Sequence, residues 1–318
     1  MNKVKKWTSK NTWIWSFVGS LILFIAISIL SDGGISLKTL FMNITLASFA
    51  FLLGISEMLV ITSGDGAIDL SVPYTVTLCA YISAAWLKGS RAIIGIFLIL
   101  GVCVLVGLVN GIVNYYLHVH AMIGTLAVGY ILFTIVLLYS KNATVQPSAT
   151  LSGFARIQFG GFSVITVLCV LFLILMVVVM YKTKFGKKLH ALGQGHHIAY
   201  LAGINVAKMI IPVFIFSSVI AGITGVLLGA YVNGSFQSMG DAYQMKAIAA
   251  ALVGGTLVSG GKSSVLGTFG GAIMLTLLGT LITITGLSAG WQNLIEGAVI
   301  ILILVAAEPG GNKRKTKK

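Results

Sequence analysis

Charge is scarce in this chain, and negative charge scarcest: seven Asp and Glu stand against 21 Lys and Arg in 318 residues, and charged residues make up 9%. A soluble domain carries about a quarter charged residues, so a water-soluble fold is excluded. Cysteine is also rare. Cys79, Cys103 and Cys169 are odd in number, and each lies inside an apolar run. They support neither a disulfide framework nor a metal-ligand spacing, and such residues pack as small hydrophobes. No repeat of solenoid type runs through the chain.

What is present is apolar. Hydrophobic residues make up 57%, with a mean hydropathy of +1.01. Spans of roughly 20 residues fit ten runs, at 13–30, 40–62, 70–87, 92–117, 121–140, 161–181, 209–231, 243–258, 264–284 and 291–307. The expected architecture is an all-α polytopic membrane protein with about ten transmembrane helices. It forms one domain over 13–307, between a tail at 1–12 and a basic tail at 308–318. A basic start precedes the run from Trp13 to Leu30 with no small-residue cleavage site, so the first helix is expected to be retained.

The net charge of +14 does not point to nucleic acid, because of where it lies. Lys3, Lys5, Lys6 and Lys10 precede the first run, Lys182, Lys184, Lys187 and Lys188 open the loop at 182–208, and Lys313, Arg314, Lys315, Lys317 and Lys318 close the chain. Lysine beside spans marks the cytoplasmic side. Both termini and the central loop are therefore expected inside, the parity that ten crossings require.

Few residues could carry chemistry. The stretch GGTLVSGGKSS, ending at Ser264, resembles a phosphate-binding loop, but Thr256 stands where that loop needs glycine; a tight turn with Lys262 at the surface is expected. His118 and His120 are two apart, and His196 and His197 adjacent. Neither pair has the i, i+4 spacing that puts two imidazoles on one helical face, so no metal is expected. No nucleophile–base set stands out, so no catalytic site is expected either.

Glu57, Asp65, Asp69 and Glu296 lie in or beside spans, where a charge costs at least about 2.5–3.5 kcal/mol. Asp65 and Asp69 belong to a Gly-rich turn and are expected to cap a helix starting near Leu70, with a pathway role as the alternative. Glu57 and Glu296 suit a proton relay or interhelical hydrogen bonding, with no cationic partner evident. Two turns echo each other, ITSGDGAIDLSV (Ile61–Val72) and TLVSGGKSSVLG (Thr256–Gly267). Between Ala191 and Ala207 a short amphipathic helix bounded by glycines is expected. It suits docking into a partner's groove, or lying on lipid headgroups.

These residues resemble a known family, the permease subunit of ribose-type ABC importers of sugars and related solutes. Its coupling pattern GGNxxAAxxSGI is kept at Gly193, Ala199, Gly203 and Ile204, while Gly195, Ile198 and Ala202 depart from it. GAIDLSVP (Gly66–Pro73) is similar to the family's GGIDLSVG. MKAIAAALVGGTLVSGGKSSVLGT (Met245–Thr268) and SAGWQNLIEGAVIIL (Ser288–Leu302) resemble two further signatures.

The resemblance implies a type-II-like permease in the bacterial cytoplasmic (inner) membrane, without a cofactor, paired with a second permease copy or homologue. A cytoplasmic ABC ATPase would dock on Gly193, Gly195, His196, His197, Ala199, Leu201, Gly203, Ile204 and Asn205. A periplasmic or lipid-anchored solute-binding protein would deliver the solute past Asn43, Thr45, Ser48, Asp69 and Ser71. Pro73, the additional Asp65, Glu57 and Glu296 are not family hallmarks, which leaves pentoses, hexoses, nucleosides and autoinducer-2 as solutes. The rival reading is a stand-alone proton-coupled secondary transporter or channel working through Glu57 and Glu296.

Overall fold

The computed structural model describes residues 13–31, 36–140 and 145–307. The two expected tails lie outside the described residues. Each of the ten apolar runs contains a helix. These are α1 (Ile14–Leu30), α2 (Leu37–Thr62), α3 (Val72–Trp86), α4 (Ala92–Tyr115), α5 (Ala121–Ser140), α7 (Val164–Lys182), α10 (Ala207–Val232), α11 (Asp241–Val253), α12 (Val265–Ile284) and α13 (Ala289–Ala307). Hydropathy did not signal a short helix α6 (Ala149–Ala155) or a hairpin pairing Gln158 with Ser163 and Phe159 with Phe162. The hairpin turns through Gly160 and Gly161, both at positive φ, as its two-residue loop requires.

The central loop holds two helices, Lys184–Leu192 (α8) and His196–Leu201 (α9), broken at Gly193–Gly195, where Gly195 has φ 149°. The second is the short helix expected between Ala191 and Ala207, with Gly195 and Gly203 beside its ends, whereas α8 was not expected. Two helix bounds need correcting. The third helix begins at Val72, because residues 63–71 are spent on a turn holding Gly64, Asp65 and Gly66 at positive φ. The eighth stops at Val253, because Gly255 leaves helical space at φ 91°.

Six described helices, α2, α4, α5, α7, α10 and α12, are long and apolar enough to cross a bilayer, and α1 is a shorter apolar helix. α3 has 15 residues and α11 has 13, about 22 and 20 Å of helix against about 30 Å of hydrocarbon. Part of each crossing therefore falls to the glycine turn beside it. Irregular backbone is tolerated at that depth only when enclosed by protein, and here it is: Ser63, Ala67, Asp69, Thr256 and Ser263 are buried.

α2 is the axis of the bundle. Its apolar window is 89% buried, against 28% for α4. On one side α2 meets α10, which packs on α3 and α4; on the other it meets α11 and α12, with α1 against α12 and α13 against α11. Phe51 on α2 seats its ring edge-on to Phe269 of α12 at 5.3 Å. The outer helices turn Ile93, Ile94 and Phe97 (α4) and Leu171, Ile174 and Leu175 (α7) outward. A belt of that size marks a surface facing lipid rather than water.

Lipid supplies no hydrophobic drive between helices, so close backbone approach does the work. Gly107 and Gly111, one turn apart on α4, meet α10: a Cβ on Gly107 would overlap the Ile215 backbone, and one on Gly111 would stand 2.8 Å from Ile211 Cα. Overpacking costs about 1–3 kcal/mol. Gly107→Val is expected to lower the melting temperature of the purified protein by several degrees, measured by thermal unfolding in detergent. An unchanged melting temperature would contradict the close α4–α10 contact.

Candidate functional site: a glycine junction and two polar regions

The two echoing turns, far apart in the chain, meet at the central loop. Gly193 ends α8 and lies against both: a Cβ there would collide with the Thr62 carbonyl oxygen and the Gly261 amide nitrogen. The Gly261 amide in turn donates to Thr62 O at 3.1 Å. Gly260 and Gly64 touch each other through their backbones, and a Cβ on Gly64 would stand 3.0 Å from Gly193 Cα. Gly64, Gly260 and Gly261 all have positive φ, 103°, 86° and 73°. Only glycine meets both demands, conformation and space.

Two histidines tie the loop to the turns, one on each side of Gly193. His190 Nε2 is 3.2 Å from Ser263 Oγ, with its Nδ1 2.7 Å from Gly186 O. His196 Nε2 is 2.9 Å from Ser63 O, and its Nδ1 is 3.0 Å from Asp65 Oδ2. Asp65 therefore caps no helix. It is exposed at φ 55° and reaches the loop, which gives the additional residue of this turn a contact. An exposed pair of this kind is worth about 1 kcal/mol or less, so it orients more than it stabilises.

The nine expected docking residues divide by direction. Gly193 and Ala199 are buried against the bundle, and Ile204 packs partly inward, its amide closing on Ala199 O at 3.0 Å. His197, Leu201, Gly203 and Asn205 face outward, while Gly195 and His196 are half-buried. Gly203 (φ 77°) has nothing within 4 Å of a Cβ, so its backbone rather than crowding demands glycine. Asn205 accepts from the Lys208 amide at 3.0 Å and so caps the start of α10. Sequence reasoning missed Ile198 and Tyr200. With Leu201 they are 65–71% exposed, an apolar patch on a loop that also exposes Lys184, Lys187 and Lys188. It missed His190 as well; the matching Ser-Gly turns were the available signal.

The five residues expected along a path do not share one wall. Asn43 opens into a groove at the end of the bundle away from Gly193. Thr45 turns toward α7, with Thr166 Oγ1 at 3.4 Å, and the Ser48 hydroxyl donates within its own helix to Ile44 O. Asp69 and Ser71 are fully buried in a network. The Ser71 amide (3.0 Å) and hydroxyl (2.6 Å) donate to Asp69 Oδ1, and the Ser217 hydroxyl donates to Oδ2 at 3.2 Å. Asn110 Nδ2 donates to Ser71 Oγ at 2.8 Å, and the Asp69 amide to Glu57 Oε2 at 3.2 Å. Asp69 thus makes the local turn expected of a cap, but before Ser71 rather than at Leu70, and it also binds α10.

Glu57 and Glu296 have separate partners. Glu57 joins this network near the junction end of α2, whereas Glu296, on α13, accepts from Gln292 Nε2 and stands beside Lys246. Their Nζ–Oε1 separation of 3.8 Å supplies the cationic partner that the sequence did not reveal. A second cavity, about 580 Å3, borders the junction and is lined by Asp65, His118, His120 and His196 among others. Among the described residues no three His, Cys, Asp or Glu stand as a metal-holding group.

A polytopic helical bundle with a loop seated on its glycine turns and a buried carboxylate network fits a membrane-spanning permease. A family model described as "Branched-chain amino acid transport system / permease component" matches residues 39–304, and the chain belongs to that family. It is similar to the galactose/methyl galactoside import permease of Haemophilus influenzae, at 31% identity over 79% of this chain and 80% of the relative. The corresponding Escherichia coli K12 permease is 30% identical over 88% and 90%, and the ribose import permease of the same strain 28% over 91% and 92%. The chain's role is therefore transport, not catalysis.

Leaving a buried donor without an acceptor costs about 1–3 kcal/mol. Asp69→Ala strips the acceptor from three donors and is expected to lower the melting temperature in detergent by several degrees, clearly more than Ser217→Ala. Equal, negligible shifts for both variants would contradict the network.

Proposed function

We propose that this chain forms the translocation pathway of an ATP-driven importer for a monosaccharide or a related small polar solute. A separate cytoplasmic ABC ATPase grips the loop at 182–208, a second permease copy or homologue completes the pathway, and an external solute-binding protein delivers the cargo. Both termini and the Gly193 junction lie inside. The names of the relatives support a sugar, since they import galactose, methyl galactoside and ribose.

One observation carries the docking role: the loop is two-faced. Its inner face is locked by Gly193, Ala199 and the two histidine contacts, while Ile198, Tyr200 and Leu201 stand exposed and apolar. An exposed apolar helix face held rigidly from behind suits a partner's groove. Force applied there reaches both turns at once through Gly193, hence α2 and α3 as well as α11 and α12. ATP closure of the partner need only favour one of two arrangements of these helices to move the pathway. Asn43 is the path residue this reading keeps at the solute-facing end; Thr45 and Ser48 support the same helix, and Asp69 and Ser71 hold the bundle together.

The two faces give two phenotypes. Leu201→Asp is expected to abolish co-purification of the ATPase and reduce ATP-driven sugar uptake in proteoliposomes at least about tenfold, with normal membrane insertion. Gly203→Val, which strains a left-handed position, is expected to weaken both. His190→Ala with His196→Ala is expected to keep the ATPase bound and hydrolysing while uptake falls. Uphill uptake by the permease alone, without the ATPase, would overturn the proposal in favour of a secondary transporter.

A further inference from the structure

At the end of the bundle away from Gly193, α2, α11, α12 and α13 enclose a groove of about 320 Å3. Counting about 1.5 Å per residue along α2, its rim at Thr39 is roughly 35 Å from Thr62. Asn43, Tyr243, Lys246, Thr276, Thr280 and Gln292 line it.

The hydrogen-bonding groups of this lining are partly engaged with the protein. The Thr276 hydroxyl donates to Ala272 O at 2.8 Å, and the Thr280 hydroxyl is shared between Thr276 O and Asn43 Oδ1. Asn43 Nδ2 donates to Thr39 O at 2.9 Å, and Gln292 Nε2 to Glu296 Oε1 at 2.9 Å. The threonine hydroxyls spend their protons on the protein, while each amide nitrogen keeps a second N–H and the hydroxyl and amide oxygens keep lone pairs. Lys246 adds a cation. Its ammonium has three donors and its one carboxylate neighbour is Glu296, buried at the groove's edge, so the pair adds no net charge.

A site offering both donors and acceptors, with one neutralised cation and a tyrosine, fits an uncharged ligand carrying several hydroxyls, each of which can donate and accept. We propose that this groove is a solute subsite for a neutral polyhydroxylated molecule, and that Glu296 sets its charge selectivity by holding Lys246 neutralised. The proposal deepens the transport reading and rests on it for the claim that the groove lies on the route.

The three native cysteines are buried, so Thr280→Cys in the complete complex gives one reporting thiol. It is to be probed in cells with membrane-impermeant thiosulfonates that are neutral, anionic or cationic, after co-purification confirms assembly. The thiol is expected to react from outside with all three reagents, and D-ribose with D-galactose at high concentration is expected to slow the neutral reagent at least twofold. Adding Glu296→Gln is expected to raise the anionic-to-cationic rate ratio at least about fivefold, the effect of one uncompensated charge within about 7 Å; adding Lys246→Gln is expected to lower it. Gluconate is expected to protect only the Glu296→Gln variant. An unreactive thiol, a ratio unmoved by both charge variants, or gluconate protecting the parent as well as the sugars do would overturn the proposal. Absence of ATP-driven uptake with this labelling pattern intact would instead defeat the transport reading and leave the groove's chemistry standing.

Discussion

The backbone contact of Gly193 with Thr62 and Gly261 is the constraint on which the rest of the arrangement depends. It joins three segments from distant parts of the chain at one point, and Gly193 has no room for a side chain there. In lipid, where apolar packing gives helices little reason to associate, shape and hydrogen bonding must hold such a point together. The amide of Gly261 on Thr62 O supplies the bond, and His190 and His196 supply one brace on each side. The junction ends of α2, α3, α11 and α12 and the loop are thereby joined at one point.

The polar groups of the bundle sort by depth around that unit. Near it, Glu57, Asp69, Ser71, Asn110 and Ser217 are hydrogen-bonded in a buried network that ties α2, α3, α4 and α10 together. At the other end Lys246 and Glu296 border an open groove that also holds Asn43. Interior carboxylates here therefore serve two purposes, cohesion at one end and the electrostatics of an opening at the other.

Much of the fold was legible because spans announce themselves by length and hydropathy: all ten runs contain helices. What was not legible has a common cause. In a membrane protein the core and the lipid-facing surface are both apolar, so composition does not tell the buried α2 from the exposed α4. Nor does it show that α3 and α11 fall short of the bilayer. The Lys246–Glu296 pair is a product of α11 packing on α13, and no local pattern foreshadows it. The short helix of the loop was visible through its glycines, yet its outward residues Ile198 and Tyr200 were not, because one short amphipathic stretch does not reveal which face is already occupied. Asp65 looked like a cap since turn carboxylates usually are; the positive φ of Gly64, Asp65 and Gly66 sends it to His196 instead.

The central claim is that the loop and both glycine turns move together. Spin-label distances in the assembled complex, with and without nucleotide, test it most directly, using exposed Lys188, Lys262 and Leu117. The account predicts that the Lys188–Lys262 distance stays constant when ATP binds, while the distance from Lys262 to Leu117, in the turn between α4 and α5, changes. A Lys188–Lys262 distance that shifts with nucleotide would show the loop sliding over the turns and would contradict the account.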